Sequence, residues 1–488
     1  MDLKKLYIFL QNKFKNEYHV YINSFHSKEN KIFILVKDKR NKYFGEICRN
    51  DRFLLNNPLK SSCINGFEDY TFDIRFFECS IENSKKILNF LEYLKPVKTN
   101  QKASLGFGDR IGIASGAHVK LVNEYNFFPV FAQQSVREIT KTGKNCESVL
   151  HNAVMGVLQE GYKGVWGADA DHIRDKKWLN IMINNEYVPY TMYTIDTYDY
   201  INTSEVINKG DLSTDRNFNQ RMKKARKYIG KNLNLNGYSF KYDENNLFSI
   251  VKKYYKSLDF LKDCYEMIKF SNQEFDFEPT FDEKDIDTKP EDHFYIASEL
   301  LSEGIYFNTL ALKLPGRLEK GIDYIGNLDK FISNLSIHRE IVNYFGCYKL
   351  SLHSADDKFM LFKPWREILK EDFHIKTSGT TWMESLRTIA QLKPSLFKEI
   401  FKSALINAEE SSSDYNINLG YKKIFELSRD IDCEDLIDIL DTRQLLHVSY
   451  GPIIDKFKNN IIEVLSKNED LYYGNIIKNY KNQLGLIF

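Results

Sequence analysis

Cysteine is scarce and scattered in this chain of 488 residues. The seven cysteines are odd in number, and no two of them form a C-x-x-C pair. Secreted disulfide frameworks and thiolate zinc sites need paired or clustered cysteines, so this spacing argues against both. We therefore expect a protein of the reducing cytoplasm.

Net charge and long apolar runs are also lacking. Lysine and arginine total 68 against 67 aspartate and glutamate residues, which gives a formal net charge of +1. Such a chain has no whole-protein field that would attract nucleic acid or an acidic membrane. No stretch approaches the ~18 uncharged apolar residues of a membrane helix, and the N-terminus has no apolar signal core. We predict a small-molecule ligand, with no nucleic-acid partner and no membrane partner.

The length allows one large barrel with added segments, or two to three domains. Residues 1–98 alternate apolar and charged residues in short runs, which predicts a small mixed α/β N-terminal domain. A stretch near residues 95–102 contains Pro, Asn and Lys and is suited to a linker. We place a catalytic region at 99–395, with a helical insertion near 197–272, and a helical C-terminal extension at 396–488.

A new rhythm begins near residue 105, where short apolar strands alternate with helical patterns. Eight such units predict an α/β fold, and they favour a closed (β/α)8 TIM-like barrel over an open doubly wound sheet. The predicted strands are 110–115, 128–133, 164–169, 190–196, 275–282, 305–312, 348–353 and 373–377.

The ends of these predicted strands are strongly polar. Barrel enzymes build their active sites at the carboxyl ends of the strands. Carboxylates and imidazoles are poor core formers, because each needs a buried partner. We therefore expect one shared polar site at a mouth of the barrel. The polar residues at or just beyond the strand ends include His118, Gln134, Arg137, Asp171, His172, Glu278, Asp282, Glu319, His353 and Lys376.

Two histidines and a carboxylate form a common set of ligands for a divalent metal. His172, Glu319 and His353 can supply this set from strands three, six and seven. Nitrogen and oxygen donors suit zinc, manganese, iron, cobalt or nickel better than calcium. The alternative is that each of the three is a lone surface residue or supports another group, and the strand-end position alone does not decide between these interpretations.

Asp171 and Glu278 are the candidates for proton transfer. We expect a carboxylate in a water-poor barrel mouth to have its pKa raised toward the working pH, as a general acid or base requires. The alternative for Asp171 is a capping role at the start of the helix that follows.

Four residues form the predicted substrate-binding set. Lys376 either forms a Schiff base with a ketose or holds a substrate carboxylate or hydroxyl, and we favour the second. Arg137 is suited to gripping a carboxylate, with a structural ion pair as the alternative. His118 and Gln134 complete the set. Residues 379–381, Gly-Thr-Thr, could also bind an anion through backbone N–H groups at a helix N-terminus.

Several segments resemble signatures of the tagaturonate epimerase family, in the same order along the chain. The resemblance covers about residues 105–450 and implies a divalent metal and an acid-base pair, which we carry over to the metal-ligand and proton-transfer residues named above. The segments include LGFGDR at 105–110, FAQQSVRE at 131–138, GADADH at 167–172, EKGIDYIG at 319–326, KLSLHS at 349–354 and HIKT at 374–377.

The resemblance implies a metal-dependent isomerase that interconverts D-tagaturonate and D-fructuronate in hexuronate catabolism. These sugar acids differ one bond beyond the carbon adjacent to the ketone, so enolisation alone does not invert that centre. Retro-aldol cleavage with re-addition and two-base exchange between Asp171 and Glu278 are both open. Two alternative functions stay open: another metal-dependent ketose or sugar-acid epimerase, isomerase or aldolase, and a non-catalytic sugar-acid sensor. Assembly into a homo-oligomer is also left open.

Overall fold

The N-terminal part of the chain is an antiparallel sheet. A computed structural model describes residues 2–48, 52–67, 70–99, 103–203, 214–235, 237–271, 273–282, 284, 286–413, 415 and 431–488. The first six strands are β1 (His19–Val20), β2 (His26–Lys28), β3 (Lys31–Lys37), β4 (Lys42–Cys48), β5 (Lys60–Phe67) and β6 (Tyr70–Glu78). They pair in the order β1-β3-β4-β6-β5, and β2 lies beside β3.

Strand β3 is apolar on both faces, because successive side chains enter two different cores. Ile34 packs in a small core with helix α1 (Leu3–Phe14). Phe33 points the other way, toward helix α2 (Ile81–Phe90), and belongs to the large core that continues into the rest of the chain. The N-terminal sheet is therefore packed directly against the region that follows.

Eight parallel strands close a barrel, which confirms the predicted fold class. The remaining strands are β7 (Ala103–Phe107), β8 (Phe128–Ser135), β9 (Gly167–Ile173), β10 (Met192–Asp196), β11 (Asn232–Leu235), β12 (Tyr238–Lys241), β13 (Asp276–Thr280), β14 (Thr309–Ala311), β15 (Lys349–Leu352) and β16 (Phe373–Thr377). The barrel order is β10-β13-β14-β15-β16-β7-β8-β9, while β11 and β12 form a separate hairpin.

Helices surround the barrel strands and make up the C-terminal part of the chain. They are α3 (Ser115–Val122), α4 (Val136–Lys141), α5 (Cys146–Glu160), α6 (Lys176–Ile183), α7 (Arg216–Ala225), α8 (Glu244–Phe270), α9 (Pro290–Ser302), α10 (Leu328–Phe345), α11 (Phe359–Leu369), α12 (Thr380–Leu392), α13 (Pro394–Ile406), α14 (Ala408–Ser413), α15 (Cys433–Asp438), α16 (Leu440–Val448), α17 (Tyr450–Lys467) and α18 (Glu469–Ile487). Within the described residues, no helix combines the length and apolar character needed to cross a membrane.

The first predicted strand, 110–115, is wrong. The strand that opens the barrel is β7, and the apolar residues after it lie in a loop. The Asp109 carboxylate accepts hydrogen bonds from the backbone N–H groups of Gly112 and Ala114, at 2.6 and 2.7 Å. Gly112 has a φ of +96°, which suits glycine and is incompatible with a strand. Local side-chain hydrogen bonds therefore override the apolar pattern.

His118 lies in α3, and the prediction that it binds substrate is corrected by its position. Its side chain is fully buried, and its ring stacks on Phe107 with centroids 4.8 Å apart. Its Nε2 lies 2.9 Å from the Thr381 hydroxyl of α12, and its ring also meets the edge of Tyr480 on α18. His118 therefore packs between helices next to the first and last barrel strands. Burial lowers the pKa of His118 to about 4.

We expect the variant His118→Leu to lose part of the acid sensitivity of folding and to keep its substrate kinetics. An unfolded histidine has a pKa of about 6.5. Between pH 6.5 and pH 4 the unfolded state therefore binds a proton that the folded state does not, and the free energy of unfolding decreases as the pH is lowered. This single group contributes up to about 3 kcal/mol of that loss. The thermal midpoint of the variant, measured from pH 7.5 to 4.5, should fall less steeply than that of the parent.

The control is Leu121→Ala in the same helix, which opens a cavity but removes no titratable group, so it should lower the midpoint at every pH and leave its pH dependence close to that of the parent. A large rise in KM in His118→Leu, without a change in the thermal midpoint, would contradict the packing role.

Candidate active site

Lys376 lies inside the barrel and joins strands that are not neighbours in the sheet. Its Nζ donates to Asp169 at 2.6 Å and to Asp171 at 2.9 Å, both on β9. Glu278 Oε1 on β13 lies 2.8 Å away, and the Thr194 hydroxyl on β10 is also in contact. Burial alone would lower the pKa of Lys376, but the three carboxylates outweigh it and hold that pKa well above its ordinary value. The lysine is therefore an ammonium ion, which argues against a Schiff base.

A bulge in β9 turns two consecutive side chains toward one cavity. The pairing of β9 with β10 loses register between Tyr193 and Ile195. At this point His172 adopts a φ of +51°, a left-handed conformation that non-glycine residues rarely adopt. Successive residues of a regular strand point to opposite faces, yet Asp171 and His172 both line the cavity. The His172 Nδ1 lies 2.7 Å from Asp171 Oδ1.

His353 follows β15 and lies between two carboxylates. Its Nε2 is 2.8 Å from Glu278 Oε1. Its Nδ1 is 3.1 Å from Asp282 Oδ2, but this buried nitrogen makes no well-aligned hydrogen bond. Burial alone would lower the pKa of His353. The opposing effect of Asp282 and Glu278 is larger and raises this pKa to about 9. The surroundings of this ring therefore strongly favour positive charge.

His172 and His353 come together as predicted, but the carboxylate beside them differs. The ring centroids of the two histidines are 4.8 Å apart. Potential ligand atoms of His172, Asp282 and His353 all lie within 4.8 Å of one another, which defines the histidine–aspartate cluster. Asp282 follows β13 and lines the same cavity. Asp282 is the last residue of the predicted fifth strand, and this position was the signal for it in the sequence.

Glu319 lies outside this cluster, which corrects its predicted role as a metal ligand. It lines the cavity, but its carboxylate accepts a hydrogen bond from Gln444 Nε2 at 2.8 Å and pairs with Arg317 at 3.1 Å. Both partners hold the carboxylate away from the histidines. The reason is that the loop after β14 turns back on itself, through a bridge between Arg317 and Ile325, and faces α16.

Asp171 and Glu278 do not have the raised pKa values that the sequence predicted. Burial alone raises each pKa, as expected, but positive neighbours reverse the shift. For Asp171 the neighbours are His172 and Lys376, and for Glu278 they are Lys376 and His353. Both pKa values are therefore held below the ordinary range, so both groups are carboxylates at neutral pH. Asp171 lines the cavity, whereas Glu278 is fully buried behind His353.

The cavity above the cluster has a volume of about 890 Å³ and takes in both Arg137 and Lys376. Gln134, predicted to bind substrate, is directed away from it. Its Oε1 lies 3.4 Å from Lys144 Nζ, while the preceding residue, Gln133, lines the cavity and donates to the Thr377 carbonyl at 3.3 Å. The strand position was predicted correctly but the face was not, because a shift of one residue exchanges the two faces of a strand.

The suggested anion site at residues 379–381 is filled by the protein itself. The Asp356 carboxylate, from the loop after β15, accepts hydrogen bonds from the backbone N–H groups of Ser378, Gly379 and Thr380 at 2.8 to 3.1 Å. It also accepts from the Thr380 hydroxyl at 2.9 Å. The positive N-terminus of α12 is thus neutralised by a fully buried side chain.

Comparisons with known proteins agree over almost the whole chain. A family model described as tagaturonate epimerase matches residues 21–487. The tagaturonate/fructuronate epimerase of Thermotoga maritima is 33% identical over 488 residues, covering 98% of each chain. A glycerol-complexed crystal structure of the fructuronate-tagaturonate epimerase from Cohnella laeviribosi has a TM-score of 0.88 and 29% identity, covering 99% of each chain. The native structure of that enzyme has a TM-score of 0.86 and 28% identity, covering 100% of this chain and 99% of that chain.

We expect Lys376→Met to destabilise the protein by about 3–5 kcal/mol, because its removal leaves three buried carboxylates without their cation. Adding Asp169→Asn to that variant should recover part of the loss, since one of the three charges is then removed. Chemical denaturation of the single and double variants measures both effects. Lys363→Met, on the exposed face of α11, is the control and should change stability by less than ~0.5 kcal/mol.

Proposed function

The chain belongs to the tagaturonate epimerase family and is an isomerase of sugar acids, and we propose that it interconverts D-tagaturonate and D-fructuronate with a divalent metal held by His172, Asp282 and His353. The single observation that carries the metal proposal is that one potential ligand atom of each of these three side chains, all of which line the cavity, lies within 4.8 Å of the others. Hexuronate catabolism would be the setting of such a reaction.

The donor set fits a divalent cation. The buried Nδ1 of His353 has no aligned hydrogen-bond partner, while Glu278 holds the opposite nitrogen of the same ring. Asp171 contacts the His172 Nδ1 at 2.7 Å, which leaves Nε2 as the coordinating atom. A carboxylate on the far nitrogen of a metal-bound histidine fixes its tautomer and raises its basicity. Two nitrogen donors and one oxygen donor suit zinc, manganese, iron, cobalt or nickel.

Charge balance also supports a cation at this place. Within the barrel, Asp169, Asp171 and Glu278 share one ammonium ion, that of Lys376. The Asp282 carboxylate adds a fourth negative charge next to the histidines. A divalent cation would replace the proton that these carboxylates favour on His353 and would offset the excess of negative charge. It would also supply Lewis-acid chemistry, by polarising the ketone and acidifying a neighbouring hydroxyl.

Asp171 is the residue that we assign to proton transfer at the substrate. It is ionised at neutral pH and lines the cavity. Its lowered pKa makes it a weak base, but the cation would acidify the substrate hydroxyl, so Asp171 can accept that proton and return it. Glu278 lies behind His353 and does not line the cavity, which favours a role in holding that ring. Because only Asp171 of this pair lines the cavity, retro-aldol cleavage followed by re-addition fits better than two-base exchange.

Turnover in deuterated water tests this choice. A pure retro-aldol path breaks and remakes a carbon–carbon bond, so we expect no deuterium at the inverted carbon of the product. Mass spectrometry and proton NMR of the product measure its incorporation. Deuterium at that carbon, appearing at the rate of epimerisation, would instead support proton exchange by two bases.

Metal analysis tests the proposed ligand set. We expect about one divalent ion per chain after purification, loss of most of it in His172→Ala and His353→Ala, and loss of epimerase activity with a chelator. Asp171→Asn and Glu278→Gln should weaken metal affinity by roughly 10- to 100-fold, because each carboxylate orients a ligand. Elemental analysis gives the metal content independently of activity.

Glu319→Gln is the matched control, because Glu319 lies in the same cavity but outside the cluster. It should retain the metal content of the parent. Full metal content and full turnover in a variant that lacks both histidines would refute the proposed site.

A further inference from the structure

The cations in the wall of the cavity are mostly neutralised by carboxylates. Arg110 pairs with Glu138 at 2.7 Å and Arg174 pairs with Asp196 at 2.6 Å. Arg317 pairs with Glu319 at 3.1 Å, and Lys376 is surrounded by its three carboxylates. A substrate carboxylate that approached any of these four cations would have to compete with an ion pair that is already formed. These cations are therefore poor anchors for an incoming anion.

Lys320 differs from them. It lies in the loop after β14, half-buried in the same wall, and its Nζ donates to the Ser354 hydroxyl at 2.8 Å. Among the residues that the structure describes, this ammonium forms no ion pair with a carboxylate. The Lys320 ammonium is close enough to Asp356 to help lower the pKa of that carboxyl group. That carboxylate, however, already accepts hydrogen bonds from three backbone N–H groups and one hydroxyl.

The position of Ser354 fixes where this ammonium lies. Ser354 directly follows His353 and has a φ of +51°, a left-handed conformation that a serine rarely adopts. Backbone strain of this kind is retained where the surrounding structure requires a particular orientation. The α-carbons of His353 and Ser354 are about 3.8 Å apart, so the Lys320 ammonium is held one residue away from a proposed metal ligand.

The substrate has matching dimensions. In these hexulosonates the ketone lies next to a terminal CH₂OH group and the carboxylate is at the opposite end of the chain. Four carbon–carbon bonds of about 1.5 Å therefore put the carboxyl carbon roughly 5 Å from the ketone carbon. A ketone at the histidine–aspartate cluster would therefore leave the carboxylate near the next residue along the wall. Lysine acts as a compact point charge with three donors, which suits a terminal carboxylate.

We propose that Lys320, oriented by Ser354, binds the carboxylate of the substrate and thereby selects ketose acids over the corresponding neutral ketoses. This inference rests on the proposed function, because it assumes that a sugar acid occupies this cavity. Two rival cations lie in the same wall. The Arg137 guanidinium stands over the Tyr415 ring at 5.4 Å, and Lys313 Nζ donates to the backbone carbonyl oxygens of Leu314 and Gly316. Lys320 follows β14, which lies between β13 and β15, the strands that lead to Asp282 and His353.

The experiment compares an anionic substrate with its neutral counterpart. Steady-state kinetics are measured with tagaturonate, and tagatose, which has CH₂OH in place of the carboxylate, is used as substrate or as competitive inhibitor. We expect Lys320→Met to raise the KM for tagaturonate by roughly 10- to 100-fold, the cost of one hydrogen bond to a charged group. The kcat for tagaturonate and the KM or inhibition constant for tagatose should change little. Lys320→Arg should restore part of the affinity for tagaturonate.

Two further variants serve as controls. Ser354→Ala should give a smaller rise in the KM for tagaturonate, because the ammonium is kept but its support is lost. Lys363→Met removes a lysine that is 75% exposed on α11 and should match the parent in every constant. Thermal midpoints of all variants separate a loss of folding from a loss of recognition.

The outcomes distinguish the two proposals. If the parent does not epimerise tagaturonate, the proposed function fails and the inference fails with it. If the parent is active but folded Lys320→Met keeps the same preference for tagaturonate over tagatose, the inference alone is overturned. Loss of that preference in Arg137→Met, with Lys320→Met unchanged, would assign the carboxylate to Arg137 instead.

Discussion

The interior of the barrel depends on one buried ammonium ion and the three carboxylates around it. Most barrels of this type fill their interior with branched apolar side chains. Here Lys376 on β16 reaches across to Asp169 and Asp171 on β9 and to Glu278 on β13. A buried charge is tolerated only when it is paired and hydrogen-bonded. The barrel is therefore held closed partly by electrostatic contacts across its axis, and these contacts also fix the carboxylates that orient the histidines.

Two left-handed residues adapt the strand ends to the site. His172 and Ser354 both have a φ of +51°, although neither is glycine. At His172 the bulge brings neighbouring side chains onto the same face, and at Ser354 the turn directs a hydroxyl to Lys320. Strain of about 1–3 kcal/mol at each such residue is offset by the surrounding contacts. The site is thus built from local departures from regular strand geometry.

The sequence predicted the repeating units well and individual side-chain directions less well. The barrel follows from the alternation of strands and helices, which survives errors of a few residues. The positions of His172 and His353 at strand ends were predictable for the same reason. The choice between Gln133 and Gln134 depends on strand face, and the choice between Glu319 and Asp282 depends on how a loop turns. Both are decided by contacts between distant parts of the chain, such as Gln444 with Glu319.

The Asp356 carboxylate at the N-terminus of α12 has a consequence for the metabolites that this barrel can accommodate. In many barrels the loops after the seventh and eighth strands and a nearby helix N-terminus form a cradle for phosphate esters. Here the protein's own carboxylate already takes the backbone N–H groups of Ser378, Gly379 and Thr380. A phosphorylated ketose would meet a negative charge where related folds offer donors. The backbone donors that hold phosphate in those barrels are therefore already occupied here by a side chain of the protein.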